Sequence, residues 1–146
     1  FLEASMAPQA RVQDLKLQVA GPLAVHPLCQ RLLHGQVILE DDSHLWQHCQ
    51  EPTNGTTMLV LTLLTVLAPL HERLESGHDQ HKVLAICSQM GSAAGDEKTV
   101  ALLIANLQGA GARRAKKARG MPEVAAKALS MVAQRGNTYA TEALLS

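Results

Sequence analysis

Aromatic side chains are almost absent from this chain of 146 residues, which contains one Phe, one Tyr and one Trp. Stacking surfaces for single-stranded nucleic acid are built from aromatic rings, so the composition disfavours that class of binding protein. A core with so few rings must be filled by aliphatic and alanine side chains, which suit closely packed helices. The formal net charge is zero, which argues against attraction of the whole surface to nucleic acid or membrane.

Cysteines are also few, and long apolar runs are missing. Cys29, Cys49 and Cys87 are odd in number and widely spaced, so they make neither a disulfide framework nor a CxxC motif. We therefore expect a reducing compartment, such as the cytoplasm, the nucleus or an organelle interior. The longest apolar run, residues 58–70, is interrupted by threonines and a proline and is shorter than the roughly 20 residues of a membrane span.

Catalytic signatures are missing from the sequence as well. It has no nucleophile elbow, no Walker loop and no GxGxxG motif. Asp41 and Asp42 are adjacent, so their side chains diverge in a strand or turn and do not make an acid–base pair. His44, His48 and Cys49 have ligand-like spacing, but a fourth ligand is not evident. We therefore expect no enzyme activity, no metal and no cofactor.

The first sixty residues have the pattern of a small α+β unit. Apolar residues at helical spacing predict a helix over residues 11–20, and Gly21-Pro22 predicts its end. Two short strands are predicted over residues 30–33 and 37–39, on either side of a glycine turn. A third strand, rich in β-forming residues, is predicted over residues 57–63.

Several short motifs accompany these elements in a fixed order. They are residues 12–20, His26-Pro27, Gln30-Arg31-Leu32, Gly35, Leu39-Glu40-Asp41-Asp42, Leu45, Gly55-Thr56-Thr57 and residues 58–63. Together they resemble the ubiquitin-like family over residues 1–63, and the resemblance implies a β-grasp roll. The match begins inside the family's second strand, so we expect the first strand to lie outside this sequence. The chain also continues past the last strand without a free di-glycine tail, which implies a non-conjugated protein.

Residues 64–146 have the pattern of an all-α repeat region. Segments about 42 residues apart are alike, as in Ala101-Leu102-Leu103 and Ala143-Leu144-Leu145. Small residues and a Gly-Asn corner over residues 125–144 resemble a HEAT-type repeat, and we expect such an array to continue beyond this sequence. The predicted helices begin at Pro69, cover residues 81–90, run from an Asp96 cap to residue 107, cover residues 123–134, and start again at residue 138.

The ubiquitin-like resemblance implies an apolar binding patch on the outer face of the sheet. Carried over by position, this patch consists of Leu33, Leu59 and Leu61, with Arg31 at its rim. The alternative is that these leucines pack against the helix that begins near Pro69. We favour that alternative, because a large exposed apolar patch is costly.

A basic segment follows in the helical half and holds five of the chain's 13 basic residues. It is either an anion contact, for phosphate groups or an acidic surface, or a solvated connection between helices. We favour the solvated connection, because charge runs usually face solvent. The five residues are Arg113, Arg114, Lys116, Lys117 and Arg119.

The sequence therefore predicts an α+β chain with two modules. A ubiquitin-like β-grasp roll occupies residues 1–63, and an all-α HEAT-like repeat region occupies residues 64–146. The expected function is non-enzymatic protein–protein interaction, as an adaptor module. One alternative is a structural accessory subunit of a large assembly, and another is an anion- or nucleic-acid-associated protein that uses the basic segment.

Overall fold

The computed structural model describes residues 2–7, 9–49, 58–108, 121–133 and 138–145 of the chain. It combines α-helices with an antiparallel sheet, which confirms the predicted α+β class at this coarse level. The chain divides into two compact units, Phe1–Val66 and Leu67–Ser146. The described residues of the first unit hold a sheet and one α-helix, and those of the second are helical.

The first helix is longer than its sequence pattern predicts. Helix α1 spans Val12–Leu23 and includes Pro22 in its last turn, so the predicted end at Gly21-Pro22 is wrong by about one turn. Pro22 has no N–H to donate to the Gln18 carbonyl, so this last turn lacks one of the hydrogen bonds of a regular helix. Ala24 then closes the helix in the left-handed conformation, with its N–H directed to the carbonyls of Ala20 and Gly21.

The sheet of the first unit has three antiparallel strands. Strand β1 is Gln30–His34, β2 is Val37–Ile38 and β3 is Thr62–Thr65, in the order β2-β1-β3. The turn between β1 and β2 contains Gly35 at a φ of +61°, a conformation that glycine adopts without strain. The first two strands therefore lie where the sequence predicted them, to within one residue.

The third strand lies further along the chain than the predicted residues 57–63. Its pairing with β1 places Leu63 opposite Leu32 and Leu64 opposite Arg31. Leu32 is buried, so this register directs Leu63 toward the core and Leu64 away from it. Residues 58–61 lead into the strand without pairing of their own, and residue 57 lies outside the described residues.

The core of the first unit is aliphatic, as the scarcity of aromatic residues predicts. Side chains from α1, the sheet and the loop segments on either side of them meet in one cluster. Its buried members are Ala10, Val12, Leu32, Leu39 and Leu45, against which Met6, Leu15, Leu59, Leu61 and Leu63 pack.

The helices of the second unit begin and end close to the predicted positions. Gly77, at a φ of +68°, ends the first of them, and the Asp96 side chain accepts a 2.8 Å hydrogen bond from the Thr99 N–H. The predicted Asp96 cap is thus confirmed. The helices are α2 (Ala68–Ser76), α3 (Gln80–Met90), α4 (Glu97–Leu107), α5 (Met121–Ala133) and α6 (Thr138–Leu145).

These helices pack as two layers. Helix α4 lies between α2 and α6, while α3 packs on α5, and the layers meet where α2 contacts α3 and α4 contacts α5. The core between them consists of aliphatic side chains, and burial of each contributes about 1.5–3 kcal/mol. Core members include Leu70, Leu74, Val83, Ile86, Met90, Leu103, Leu129 and Val132.

Among the described helices, none has both the length and the apolar character required to cross a bilayer.

Candidate functional site

The glutamine of the Gln-Arg-Leu motif has a structural role in the first unit. Gln30 is fully buried, and its side-chain amide donates hydrogen bonds to the carbonyl oxygens of Lys16 at 3.0 Å and Val25 at 2.8 Å. A buried amide without such partners would be costly. This motif residue therefore joins β1 to α1 and to the segment that follows the helix.

The aspartate of the Leu-Glu-Asp motif also contacts α1. The Lys16 side chain is only 2% exposed, and its ammonium group pairs with the Asp41 carboxylate. The Asp41 carbonyl accepts a 3.0 Å hydrogen bond from the backbone N–H of Gln13, in the first turn of the helix. Asp41 therefore anchors the loop after β2 to α1, a structural role in place of acid–base chemistry.

The outer sheet face is the side of the sheet directed away from the core. We define it by Arg31, Leu33, Ile38, Thr62 and Leu64. The register pairs Leu33 with both Ile38 and Thr62, and Arg31 with Leu64, so these side chains lie on one face. Ile38 is 54% exposed and Leu64 is 47% exposed, whereas Leu33 between the two edge strands is half-buried. The face is therefore apolar, with a guanidinium group at its margin.

The register separates the three leucines that the sequence grouped together. Leu33 lies on the outer sheet face, but Leu59 and Leu61 pack against the core cluster of the same unit. The sequence prediction named Leu59 and Leu61 in place of Leu64, because it placed the third strand too early, and it did not name Ile38 of β2. Ile38 and Leu64 can be found from the alternation of side chains between the two faces of the sheet. Leu32 is on the buried face, so its neighbours Arg31 and Leu33, and the residues that pair with them, lie on the outer sheet face.

Arg31 supplies the charge on the outer sheet face. Its guanidinium donates to the carbonyl of Gln30 at 3.4 Å, and among the described residues no carboxylate pairs with it. The five predicted anion-binding residues, Arg113, Arg114, Lys116, Lys117 and Arg119, lie outside the described residues.

The loop histidines do not form a reactive cluster. The Ser43 hydroxyl donates to the Glu40 carbonyl at 2.7 Å and lies 3.2 Å from His48 Nε2. A hydroxyl has one proton, so His48 must donate to this oxygen and does not act as its base. The Cys49 thiol donates to the Leu45 carbonyl at 3.4 Å. Within the described ranges, no group of three His, Cys, Asp or Glu side chains is placed to hold a metal ion.

A second polar cluster joins α2 to the N-terminus of α4. His71 Nε2 lies 2.9 Å from Thr99 Oγ1 and 3.2 Å from Asp96 Oδ1. A catalytic relay needs the carboxylate and the hydroxyl on different ring nitrogens, whereas here both face Nε2. Burial is the largest influence on the pKa of Asp96 and raises it, but hydrogen bonds from Thr99 and His71 outweigh burial and lower the pKa below its usual value. The cluster is therefore a contact between helices.

Two features of the surface stand out among the described residues. The outer sheet face combines exposed apolar side chains with one cation, and the helical unit presents two layers of stacked helices. Both features suit binding of another macromolecule. No protein-family model, curated protein or solved structure matches this chain, so no relative assigns it a function.

Proposed function

We propose that this chain is a non-enzymatic protein-interaction module, in which a ubiquitin-like roll binds a partner through its outer sheet face. The helical unit, as a HEAT-like array, provides a second, extended docking surface. The observation that carries the proposal is the exposure of Ile38 and Leu64 beside half-buried Leu33, on the face opposite the core. Exposed apolar surface in a folded protein commonly marks an interaction site.

The ubiquitin-like assignment of the first unit is supported by the roles of its motif residues. Gln30 and Asp41 both bind α1, and Leu32 and Leu39 both lie in the core. A helix followed by three antiparallel strands in the order β2-β1-β3 agrees with the order of elements in the resemblance. Motif residues that together hold the helix and the core of one unit support the assignment more strongly than the same residues would if they were scattered over a surface.

The HEAT-like assignment of the second unit is supported by its layers and its spacing. Helices α3 and α5 begin at Gln80 and Met121, and α4 and α6 begin at Glu97 and Thr138, so both pairs are offset by about 41 residues. Corresponding helices also contact each other, α3 with α5 and α4 with α6. Stacking of equivalent helices in separate layers is the packing that a two-helix repeat requires.

The proposed partner of the outer sheet face has an apolar surface with a carboxylate beside it. The apolar part would cover Ile38, Leu33 and Leu64, and the carboxylate would meet Arg31. Contacts of this kind place apolar side chains at the centre of an interface and charges at its rim. The charge would govern association rate and specificity more than affinity.

A photo-crosslinking amino acid at Ile38, in the full chain expressed in its native cells, tests the proposal. Leu17 is the matched control position, because it is also apolar and exposed but lies on α1. We expect a defined protein to be crosslinked from Ile38 and not from Leu17. Affinity of the purified partner for an Ile38→Ser, Leu64→Ser variant should fall at least about tenfold, which corresponds to about 1.4 kcal/mol, while Leu17→Ser should leave it unchanged.

Equal affinity of the two variants would refute the proposed use of this face. The accessory-subunit alternative predicts that the isolated chain aggregates or remains partly unfolded until its assembly is supplied. The nucleic-acid alternative predicts that binding to polyanions falls steeply with salt and disappears when the five basic residues of the segment become alanine.

A further inference from the structure

Strand β3 forms one edge of the sheet, because the strand order is β2-β1-β3. Within the part of the chain that the structure describes, no strand pairs with the side of β3 that faces away from β1. Thr62, Leu64 and Thr65 of this strand are exposed. An open edge of this kind presents backbone N–H and C=O groups with which a strand of another chain can pair.

The direction of these backbone groups follows from the pairing of β3 with β1. The Val66 N–H donates a 2.8 Å hydrogen bond to the carbonyl of Cys29, which lies opposite it in the register of the two strands. Hydrogen-bonded and non-hydrogen-bonded pairs alternate along an antiparallel ladder, so Leu64 directs its N–H and C=O to β1. Leu63 and Thr65 therefore direct theirs to the open edge.

The open edge of β3 has none of the sequence features that usually prevent pairing with another chain. Such edges commonly carry a charged residue or a proline. Residues 58–68 contain no charged residue, no proline and no glycine. The opposite edge of the sheet is formed by β2, which is only two residues long. Of the two edges, that of β3 is therefore the one suited to pair with a further strand.

We propose that β3 pairs with β3 of a second copy of this chain, antiparallel about a two-fold axis at Leu64. This register pairs Leu63 with the partner's Thr65 and Thr65 with the partner's Leu63, so that each pair exchanges both of its N–H···O hydrogen bonds. Every edge-directed backbone group of β3 is then used, and the two Leu64 side chains become neighbours on the outer sheet face. Because both copies use the same surface, the association ends at a dimer.

The contact is short, since β3 has four residues. It covers far less than the roughly 1,200 Å² of a stable protein–protein interface, so we expect a dimer that forms at high concentration and dissociates on dilution. In dilute solution the chain is then a monomer whose outer sheet face is open. The dimer needs no other protein, so its test is separate from that of the proposed function.

Disulfide trapping of the full chain tests the register. Leu64→Cys places two thiols opposite each other in a non-hydrogen-bonded pair, whose Cα separation suits a disulfide. Thr62→Cys is the matched control, because it is exposed on the same face but does not meet its own copy. Both variants carry Cys49→Ser, since Cys29 and Cys87 are buried. With oxidised glutathione, we expect Leu64→Cys to form a covalent dimer at least about tenfold faster than Thr62→Cys.

Sedimentation equilibrium tests the hydrogen bonds of the edge. Thr65→Pro removes an N–H that faces away from β1, and edge strands accept proline at such positions. We expect the wild-type mass to rise toward that of two chains as the concentration reaches about 500 µM, and Thr65→Pro to raise the dissociation constant at least about tenfold. Thr65→Ser keeps the N–H and should associate as the wild type does.

Three outcomes would overturn the proposed dimer. The first is equal trapping of Leu64→Cys and Thr62→Cys, which decides the question even if Thr65→Pro does not fold. The second is the mass of a single chain at every concentration. The third is slow hydrogen exchange of the Leu63 and Thr65 amides in the monomer, which would show that another segment of the same chain already covers the edge.

Discussion

The two units hold their elements together in different ways. In the first unit, two buried polar side chains hold α1: Gln30 joins it to the sheet, and Lys16 joins it to the loop after β2 through its pair with the exposed Asp41. In the second unit, aliphatic side chains fill the space between the helices, and polar contacts such as His71–Asp96 join helix ends near the surface. The stability of the first unit therefore depends on specific polar pairs, and the stability of the second depends on the packing of apolar side chains.

This difference explains why the sequence predicts different aspects of the two units. A buried polar side chain needs one defined partner, so Gln30 and Lys16 restrict the fold strongly. A buried leucine accepts many apolar neighbours, so helical periodicity predicts the elements of the second unit but not which helices meet. Substitutions of core side chains therefore test the second unit, and substitutions of charged side chains test the first unit.

The largest loss of stability is expected in the core of the helical unit. Leu129 on α5 is fully buried, and Leu129→Ala should lower the free energy of unfolding by about 2–5 kcal/mol, because it removes buried methyl groups and leaves a cavity. Leu145→Ala is the control, since Leu145 is 84% exposed. Urea unfolding followed by circular dichroism measures both. A loss below about 1 kcal/mol at Leu129 would mean that this unit does not rely on close packing.

The next largest effect is expected at the polar contact of the first unit. Asp41→Asn leaves the buried Lys16 ammonium without its counter-charge and should cost about 1.5–3 kcal/mol. Adding Lys16→Met should recover part of this loss, because an apolar side chain needs no partner. Urea unfolding followed by circular dichroism compares the wild type with the two variants. If the double variant is as unstable as Asp41→Asn, the pair does not act as described.

A smaller effect is expected at the cap of α4. Asp96→Ala removes the acceptor of the Thr99 N–H and should cost about 1 kcal/mol. Asp96 has a lowered pKa when folded, so its ionised form contributes stability above the usual aspartate range and loses it as pH falls through the lowered value. The difference between wild type and Asp96→Ala should therefore shrink in acid. An undiminished difference in urea titrations below that range would contradict the assignment.

The smallest effect on stability is expected on the outer sheet face. Ile38→Ser and Leu64→Ser change exposed side chains, so each should alter the free energy of unfolding by no more than about 0.5 kcal/mol. Leu32→Ser, on the other side of β1, is the matched contrast and should be strongly destabilising. Thermal unfolding of the three variants distinguishes the faces. A large loss at Leu64 would place that side chain in a core.

The sequence was a good guide where local signals decide the structure. The Asp96 cap, the Gly77 end of α2 and the Gly35 turn each follow from the conformational preference of one residue. The position of β3 did not follow, because the segment from residue 58 onward is apolar and suited to a strand at several registers. Pairing with β1 determines the register. A register shifted by one residue would place Leu61 on the outer sheet face, where the observed register places Leu64.

Hydroxyl-radical footprinting of the isolated full chain tests the central claim most directly, because it reports how far each aliphatic side chain is open to solvent. Leu17 and Leu39 provide the exposed and buried references. If the outer sheet face is open for a partner, Ile38 and Leu64 should be oxidised at rates close to that of Leu17. Rates as low as that of Leu39 would show that the face is already covered and would contradict its proposed use as a docking surface.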